Sequence, residues 1–272
     1  MKNLLQPKTS RMLGLLLACV AVVACGKKDA APAAAEPTAP ATTSAPAGPA
    51  SAGASAHALV FVLPGKTAPA DLAQKLSGWK ADGTLSDVVL TSYVEHEVKE
   101  GYSQAFGDFA ILDFPSESAY DAWKANSAAA LGPDVIVSRV DVLLDKRSRK
   151  NDPSQSIFVT GVYESLVSKD QYQAFTDDYI DPNMGNQYSS GIMTRYTMYL
   201  EQEATGGLSK PKAFLVTQYA NEAEFKRKDS VKGNYKKLLL GGDYPVWQHI
   251  DGTKKALRRD FAEVVSKPVP LQ

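Results

Sequence analysis

Apolar positions along the chain recur with a period of two in some stretches and with the period of a helix in others. Within residues 68–80, Leu72, Leu76 and Trp79 fall on one face at helical spacing, which predicts an amphipathic helix. Alternating or continuous apolar runs bounded by turn residues predict strands. In chain order, the first half reads as a strand at 58–63, a helix at 68–80, strands at 87–98 and 109–114, a helix at 116–127 and a strand at 135–144.

The second half of the chain has the same order of elements, βαββαβ. The first helix of this half, which is the third of the chain, opens at Ser168, with Gln171 three residues later as in a capping box. The final segment KKALRRDFAEVV favours a strand, although a helix is the alternative. The predicted elements are a strand at 157–163, the helix after Ser168, strands at 192–203 and 213–219, a helix at 221–240 and a strand at 256–265.

Two stretches 105 residues apart align without gaps, FAILDFPSESAY at 109–120 and FLVTQYANEAEF at 214–225. Each reads as a strand with aromatic ends, then a cap residue, Ser116 or Asn221, and then a helix that opens on glutamate. A side-chain oxygen at the cap accepts hydrogen bonds from the free N–H groups of the first turn. Glu224, three residues after Asn221, completes a capping-box pattern. We interpret the two stretches as parts of an internal repeat.

A single βαββαβ unit is the ferredoxin-like motif, an antiparallel sheet with both helices on one face. Two units in one chain can cover each other's bare sheet faces. This arrangement resembles the dimeric α/β-barrel superfamily, whose tandem members fold two ferredoxin-like repeats into a pseudo-dimer. The resemblance covers about residues 58–266 and rests on element order and the repeat. It implies an α+β fold of two ferredoxin-like repeats packed sheet to sheet as an intramolecular pseudo-dimeric α/β barrel, and a monomer.

The N-terminal apolar run from Met12 to Val23 is about half the ~20 residues that a membrane-spanning helix needs. Three basic residues and no acid precede it, which is typical of a secretory signal peptide. The segment VVACG at 22–26 resembles the bacterial lipobox. That resemblance implies that Cys25 is acylated and becomes the first mature residue, and that Gly26 after it directs the protein to the outer membrane. A free cysteine behind an apolar run is the alternative.

Residues 30–56 contain almost only Ala, Pro, Thr, Ser and Gly, with Glu36 as the single charge. Such a segment buries too little apolar surface to offset chain entropy, which predicts a disordered tether; a glycosylated stalk is the alternative. The predicted organisation is a signal peptide at 1–24, a lipidated disordered linker at 25–57, a first ferredoxin-like repeat at 58–150 and a second at 151–272.

Charge and cysteine content exclude several classes of protein. The chain has 30 basic and 30 acidic residues, and removal of the signal peptide takes away three of the bases. The mature chain therefore has no excess of basic residues, and nothing indicates nucleic-acid binding. We interpret the basic run Lys146–Lys150 as a solvated connector. Cys19 lies in the signal peptide, so Cys25 has no partner for a disulfide. Spacings typical of a zinc site, a nucleophile elbow, a phosphate loop or a dinucleotide fingerprint do not occur in the sequence.

Five residues form the candidate ligand site. Alternation along 87–98 puts His96 on an apolar face with Val88, Leu90, Val94 and Val98. His96 is a candidate proton shuttle or axial haem ligand, and a hydrogen-bonded histidine at a strand end is the alternative. The other candidates, Asp113, Arg195, Tyr199 and Gln218, lie on the matched strands of the two halves.

A buried Arg195 requires an anionic partner, because an unpaired internal charge is costly. That partner is either the carboxylate of a ligand or Asp113. Asp113 and Gln218 occupy equivalent positions in the repeat, among apolar residues. These polar groups therefore predict a pocket inside the fold, with a plain ion pair in the core as the alternative.

Superfamily relatives include cofactor-free monooxygenases, haem-degrading enzymes, chlorite-dismutase-like haem proteins and small-ligand binders, so the fold does not fix the chemistry. Our leading hypothesis is a non-enzymatic lipoprotein without a cofactor, anchored to the outer membrane and facing the periplasm, that binds a small molecule or an envelope protein. One alternative is a haem-dependent or cofactor-free barrel-type oxidoreductase or monooxygenase. Another is an envelope immunity or inhibitor lipoprotein.

Overall fold

Eight antiparallel strands and the helices outside them make up an α+β fold. The structure is a computed structural model that describes residues 54–98, 100–148, 153–206 and 209–271; the signal peptide, Cys25 and the linker up to residue 53 lie outside these residues. The strands are β1 Ala56–Val62, β2 Asp87–His96, β3 Phe109–Phe114, β4 Val135–Arg147, β5 Ile157–Ser165, β6 Met193–Glu201, β7 Lys212–Tyr219 and β8 Arg258–Pro268.

The strands close into one barrel in the order β1-β3-β2-β8-β5-β7-β6-β4, and every neighbouring pair is antiparallel. Strands of the first half are contiguous, as are strands of the second half. The halves are joined along two seams, β2 with β8 and β4 with β6. Closure gives every strand two partners, so no backbone edge is left open for pairing with another chain. The expected packing of sheet on sheet therefore takes the form of a single closed sheet.

Seven α-helices lie among the described residues, and none of them is long and apolar enough to cross a bilayer. Local capping follows the sequence pattern: Ser116 accepts from the Ala119 N–H, and Ser168 with Gln171 forms a full capping box. Asn221 accepts from the Glu224 N–H. The helices are α1 Leu72–Ala81, α2 Glu117–Asn126, α3 Lys169–Phe175, α4 Asp181–Ser189, α5 Glu222–Lys226, α6 Lys228–Gly241 and α7 Pro245–Thr253.

All eight predicted strands are present, and β3 has the predicted bounds. β8 confirms the strand interpretation of the last segment. Two helical predictions were too simple. The helix expected over 221–240 is interrupted at Arg227, and the helix after Ser168 continues through a π-helical turn at Thr176–Ile180 into α4. The connection before β8 contains α7, which was not predicted.

The hydrophobic core has three parts. Two clusters lie between the sheet and the helices, one in each half of the chain. The third fills the barrel interior and takes residues from both halves. Within it, the Phe61 ring of β1 stacks on the Phe214 ring of β7 with centroids 5.1 Å apart, and Phe106 and Phe109 lie against Phe61. Aromatic side chains thus fill one end of the barrel.

An acidic residue on α7 ties that helix to its neighbours. Asp251 accepts hydrogen bonds from the Tyr179 hydroxyl at 2.7 Å and from Lys254, and it pairs with Lys236 of α6 at 3.2 Å. Burial alone would raise the pKa of Asp251, but the hydrogen bonds from Lys254, Tyr179 and Lys236 lower the pKa to about 2, against an ordinary 3.8. A lowered pKa contributes stability above the ordinary value, and this stability is lost as the pH falls from 3.8 towards 2.

Replacement of Asp251 by asparagine is therefore expected to lower the free energy of unfolding at neutral pH by about 1–2 kcal/mol. The difference from the unmodified protein should shrink as the pH falls below 3.8 and disappear only below pH 2. Urea unfolding at several pH values measures both effects. The exposed Asp243→Asn serves as the matched control and should leave the free energy of unfolding unchanged. A difference that persists in acid would contradict the assignment.

Candidate functional site at the barrel mouth

Polar side chains gather inside the barrel at the end opposite the phenylalanines, which we call the mouth. Here β1, β2, β5 and β6 begin and β3, β4, β7 and β8 end, as the pairing of His57 and Asp87 with Asp113 shows. Successive residues of a strand point to opposite faces, so alternate positions project inward. The inward positions are apolar in the middle of the strands and polar at the mouth.

Asp113 is the carboxylate around which the first part of the mouth is organised. His57 Nδ1–H donates to Asp113 Oδ1 at 2.8 Å, and Arg147 Nη2 donates to Oδ2 at 3.1 Å. The Asp113 side chain is only 11% exposed. Burial by itself would raise the pKa of Asp113, but the hydrogen bond from His57 and the charge of Arg147 outweigh it and lower the pKa below its ordinary value. Asp113 therefore remains ionised and holds both groups in place.

Arg195 forms the second part of the mouth, and its side chain is 5% exposed. Its Nε donates to Thr197 Oγ1 at 2.9 Å and its Nη2 donates to the Tyr199 hydroxyl at 2.7 Å. Burial raises the pKa of Tyr199 to about 12 although the charge of Arg195 opposes this shift, so the phenol stays protonated. The nearest carboxylate to Arg195 is that of Asp145, with Nε and Oδ1 3.7 Å apart.

The two parts are connected through Asp145. Its Oδ2 lies 2.7 Å from Arg147 Nε, and its Oδ1 accepts from the Thr197 hydroxyl at 2.5 Å. Burial alone would lower the pKa of Arg147. The carboxylates of Asp145 and Asp113 raise this pKa by more than burial lowers it, so the net shift is upward. Both guanidinium groups are therefore held in position by one network of hydrogen bonds and ion pairs.

A pocket of about 470 Å³ opens at the mouth beside these groups. Arg147, Arg195 and Gln218 contribute to its wall, and Lys80 and Asp87 form an ion pair at its edge with Nζ and Oδ1 3.0 Å apart. The rest of the wall is mainly apolar and includes Val88, Val89, Leu90, Phe158, Pro268, Val269, Pro270 and Leu271. The pocket can therefore hold an apolar body and an anionic oxygen.

Four of the five predicted site residues come together in this region. Arg195 and Gln218 line the pocket, and Gln218 Nε2 donates to the Ser156 hydroxyl at 2.8 Å. Tyr199 contacts Arg195, and Asp113 is linked to the pocket through Arg147. The direct ion pair of Arg195 with Asp113, one of the two expected partners, is not formed. Asp113 is already bound by His57 and Arg147, while Arg195 bonds along its own strand.

His96 lies at the other end of β2, away from the mouth. Its Nδ1 shares a hydrogen bond of 2.8 Å with the Tyr93 hydroxyl, which matches the alternative interpretation as a histidine at a strand end. The expected apolar face does not continue to His96. The β2–β8 register shifts between Tyr93 and Glu95, and this irregularity breaks the alternation, so that Val94 is 46% and Val98 is 86% exposed.

Sequence reasoning missed His57, Asp145 and Arg147. Two signals were present: His57 directly precedes the first apolar strand, and Asp145 and Arg147 keep a spacing of two beyond the predicted end of β4. The interpretation of Lys146–Lys150 as a solvated connector holds for the exposure of its first two residues but not for their structure. Lys146 and Arg147 belong to β4, and Arg147 lines the pocket.

Comparison with known proteins gives the fold its context. No family model matches the chain, and no curated protein matches it. Among solved structures, an anthrone oxidase-like protein matches with 10% identity and a TM-score of 0.47, covering 79% of this chain and 91% of that one. A haem-degrading enzyme from Listeria monocytogenes matches with 11% identity and a TM-score of 0.35, covering 78% and 98%. A DypB variant from Rhodococcus jostii in complex with haem matches with 10% identity and a TM-score of 0.41, covering 80% and 95%.

These neighbours have dimeric α/β-barrel folds, consistent with the closed eight-stranded barrel seen here. They are named as an oxidase-like protein, a haem-degrading enzyme and a haem protein. The leading hypothesis of a non-enzymatic binding lipoprotein is not kept, because the solved structures that match are named as enzymes or as proteins in complex with haem. At these scores the likeness fixes no activity for this chain, so the case for a function depends on the residues of the site.

Among the described residues, no cavity combines an apolar slot with a histidine or cysteine donor for a haem iron. Methionine and tyrosine are also axial donors in haem proteins, and Met184 and Tyr179 line the cavity of the second half. The cavity between the sheet and the helices of the second half, about 270 Å³, is lined by Tyr179, Trp247 and several charged side chains, with no histidine or cysteine among its described lining residues. His96 lies on an open groove beside Glu95 and Glu97, and His249 is exposed on α7.

Within the described ranges, no group of three or more histidine, cysteine, aspartate or glutamate side chains is arranged to hold a metal ion. The arrangement at the mouth offers other chemistry. It supplies two fixed cations, a carboxylate-oriented imidazole and an apolar wall, which together suit the binding and deprotonation of a small acidic molecule.

Proposed function

We propose that the chain is an oxidoreductase of the barrel type that uses no haem and acts on a small organic acid in the mouth pocket. The observation that carries this proposal is Arg195, a guanidinium held rigidly at the wall of a largely apolar pocket. A buried cation that faces a cavity is matched best by an oxyanion. Phenols and 1,3-dicarbonyl compounds supply an apolar body, an acidic proton and an oxygen that becomes negative.

Arg195 and Arg147 are assigned to the oxygen of the substrate. Removal of a proton from a carbon next to a carbonyl, or from a phenol, places negative charge on that oxygen. Fixed donors in a poorly hydrated pocket stabilise this charge more strongly than water does, because they need no reorganisation. Tyr199, Thr197 and Asp145 keep the two guanidinium groups in position and are positioning residues.

The proton acceptor is assigned to His57, which Asp113 orients. His57 Nδ1 faces Asp113, and His57 Nε2 lies 3.4 Å from the Ser55 hydroxyl, so Nε2 is the ring nitrogen assigned to take the proton. The resulting carbanion gives its electrons to dioxygen, the oxidant of the reaction. In a 1,3-dicarbonyl compound one C–H bond becomes C–O–O–H. In a phenol the O–H bond is lost, the ring oxygen becomes a carbonyl and a ring carbon gains the O–O–H group. In both cases the proton taken by His57 returns to the distal peroxide oxygen, so the product is the substrate plus one dioxygen.

The finer architecture and the location belong to the same proposal. Two ferredoxin-like repeats, 58–150 and 151–272, form the barrel as an intramolecular pseudo-dimer; the shared βαββαβ order and the equivalent strand orders β4-β1-β3-β2 and β8-β5-β7-β6 support this. A lipid on Cys25 holds the monomer to the outer membrane, facing the periplasm, as the lipobox resemblance implies. Mass spectrometry of the mature chain from cells tests the lipid, and Cys25→Ser should remove the added mass.

Oxygen uptake by the purified domain tests the function. Residues 54–272, freed of haem and treated with a chelator, are mixed with a panel of phenols and 1,3-dicarbonyl acids in an oxygen electrode. We expect uptake with at least one of these compounds, no stimulation by haemin and no Soret shift when haemin is added. Uptake that requires haemin, or none with any member of the panel, would contradict the proposal.

A further inference from the structure

An exposed apolar surface lies where α6 passes into α7. Among the described residues, six large hydrophobic side chains are strongly exposed, and four of them are here: Leu238, Leu240, Tyr244 and Val246, with exposed fractions of 63%, 51%, 50% and 57%. We call residues 238–246 the α6–α7 tip. Isolated exposed apolar residues are common, but a concentration of them marks a contact surface.

The fold holds this tip in a defined conformation. The Gln248 side-chain amide donates to the backbone carbonyls of Leu239, Leu240 and Gly242 at 2.9, 3.2 and 2.8 Å. Leu239 and Trp247, next to the exposed residues, are buried in the core. A side chain at Gly242 would lie against the Tyr244 ring and the Leu238 carbonyl oxygen, so a larger residue would require these groups to shift. The apolar side chains are therefore presented to solvent by a rigid turn.

Basic residues surround the tip. The segment 226–259 contains ten lysines and arginines against three aspartates, in a chain whose basic and acidic residues balance. Seven of these bases are ion-paired, namely Lys226, Arg227, Lys228, Lys236, Lys254, Arg258 and Arg259. Lys232, Lys237 and Lys255 are exposed and make no ion pair with any residue in the described ranges. Lys237 lies three residues before Leu240, so the two side chains are neighbours on the helix surface.

We propose that the α6–α7 tip is a contact surface for membranes that contain anionic phospholipid. Leucine, valine and tyrosine side chains enter the boundary between headgroups and acyl chains, while lysines pair with phosphates. A second copy of the chain is a poorer occupant, because an isologous contact would oppose two basic surfaces. The tether expected at 25–53 spans up to ~95 Å when extended. A tether of this length allows the domain to touch the bilayer but does not hold it against the bilayer, so the contact needs a surface of its own.

Vesicle sedimentation tests this contact directly. Residues 54–272 are suitable because the three core clusters are built entirely from residues 56–271. The domain should bind vesicles of equal parts phosphatidylglycerol and phosphatidylethanolamine at low salt and bind phosphatidylcholine vesicles much more weakly. The triple variant Leu238→Ser/Leu240→Ser/Val246→Ser should bind at least about tenfold more weakly, since three apolar side chains no longer leave water.

Two further variants separate the contributions. Lys232→Gln/Lys237→Gln should weaken binding and reduce its dependence on salt. Val98→Ser removes an apolar side chain that is at least as exposed as those of the α6–α7 tip but lies far from the tip in the sequence. This variant should bind as the unmodified domain does. All three should retain oxygen uptake, so failure of this proposal is distinguishable from failure of the proposed function.

Three outcomes would overturn the proposal. The first is no sedimentation of the unmodified domain with anionic vesicles. The second is equal binding by the triple variant. The third is a concentration-dependent dimer in light scattering that the triple variant abolishes, which would make the tip a surface for self-association.

Discussion

Arg195→Gln is expected to lower oxygen uptake by about 100-fold or more, the size of effect seen when one donor to a developing oxyanion is removed. Glutamine is shorter and uncharged, so the positive charge on the pocket wall is lost. Its amide can still donate to Thr197 or Tyr199, the groups that Arg195 now contacts. Initial rates across a range of substrate concentrations measure the effect, and we expect it mainly in kcat, because the charge on the substrate oxygen grows in the transition state.

The matched control for this prediction is Arg139→Gln. Arg139 is on the same barrel, in β4, but its side chain lies outside, paired with Glu117 and packed over the Tyr120 ring at 4.8 Å. Its replacement should leave turnover within about twofold, because a surface ion pair contributes little even to stability. Equal losses in both variants would indicate a general structural effect, and unchanged turnover in Arg195→Gln would remove that residue from the site.

Phe61→Ala is expected to lower the free energy of unfolding by about 3–5 kcal/mol, as large-to-small changes of buried aromatics do. The Phe61 side chain is almost fully buried and contacts three other phenylalanines at the filled end of the barrel. One of these, Phe214, comes from the other half of the chain. The cavity left behind would therefore weaken the contact between the halves. Denaturant unfolding followed by tryptophan fluorescence and circular dichroism measures the loss.

Both probes should report a single shared transition, since the halves share one interior cluster and two strand seams. The control is Phe225→Ala, which truncates a half-buried phenylalanine on α5 outside the barrel and should cost about 1 kcal/mol. Two separate transitions, of which Phe61→Ala shifted only one, would mean that the halves fold independently.

The elements of the fold could be predicted because each has a local cause. The alternation of apolar and polar residues predicted the strands. Cap residues such as Ser116 and Ser168 predicted the helix starts, and the structure contains their cap hydrogen bonds. What escaped prediction depends on distant parts of the chain. The α7 helix follows a Gly-Gly-Asp-Tyr-Pro stretch that reads as a loop, although Pro245 stands at its first turn. Trp247 in the core and Asp251 hold it in place.

The candidate site likewise has residues that the sequence predicts and contacts that only the folded barrel determines. Arg195, Asp113 and Gln218 could be selected because polar residues among apolar ones on a strand need internal partners. Their partners could not be identified, because pairing depends on barrel closure: Arg147 meets Asp113 only once β4 and β3 face the same interior. His96 was misplaced because a register shift within β2 ends the alternation, and a single sequence gives no signal for such a shift.

The central claim is that the mouth pocket binds the acidic substrate with the oxygen that becomes negative facing Arg195. A crystal structure of residues 54–272 with a compound that supports oxygen uptake tests it most directly. We predict that an oxygen atom of the bound compound lies within about 3.2 Å of an Arg195 nitrogen, with the apolar part against Phe158 and Leu90. A compound bound instead in the cavity beside Tyr179 and Trp247, or anywhere out of reach of Arg195, would contradict the account.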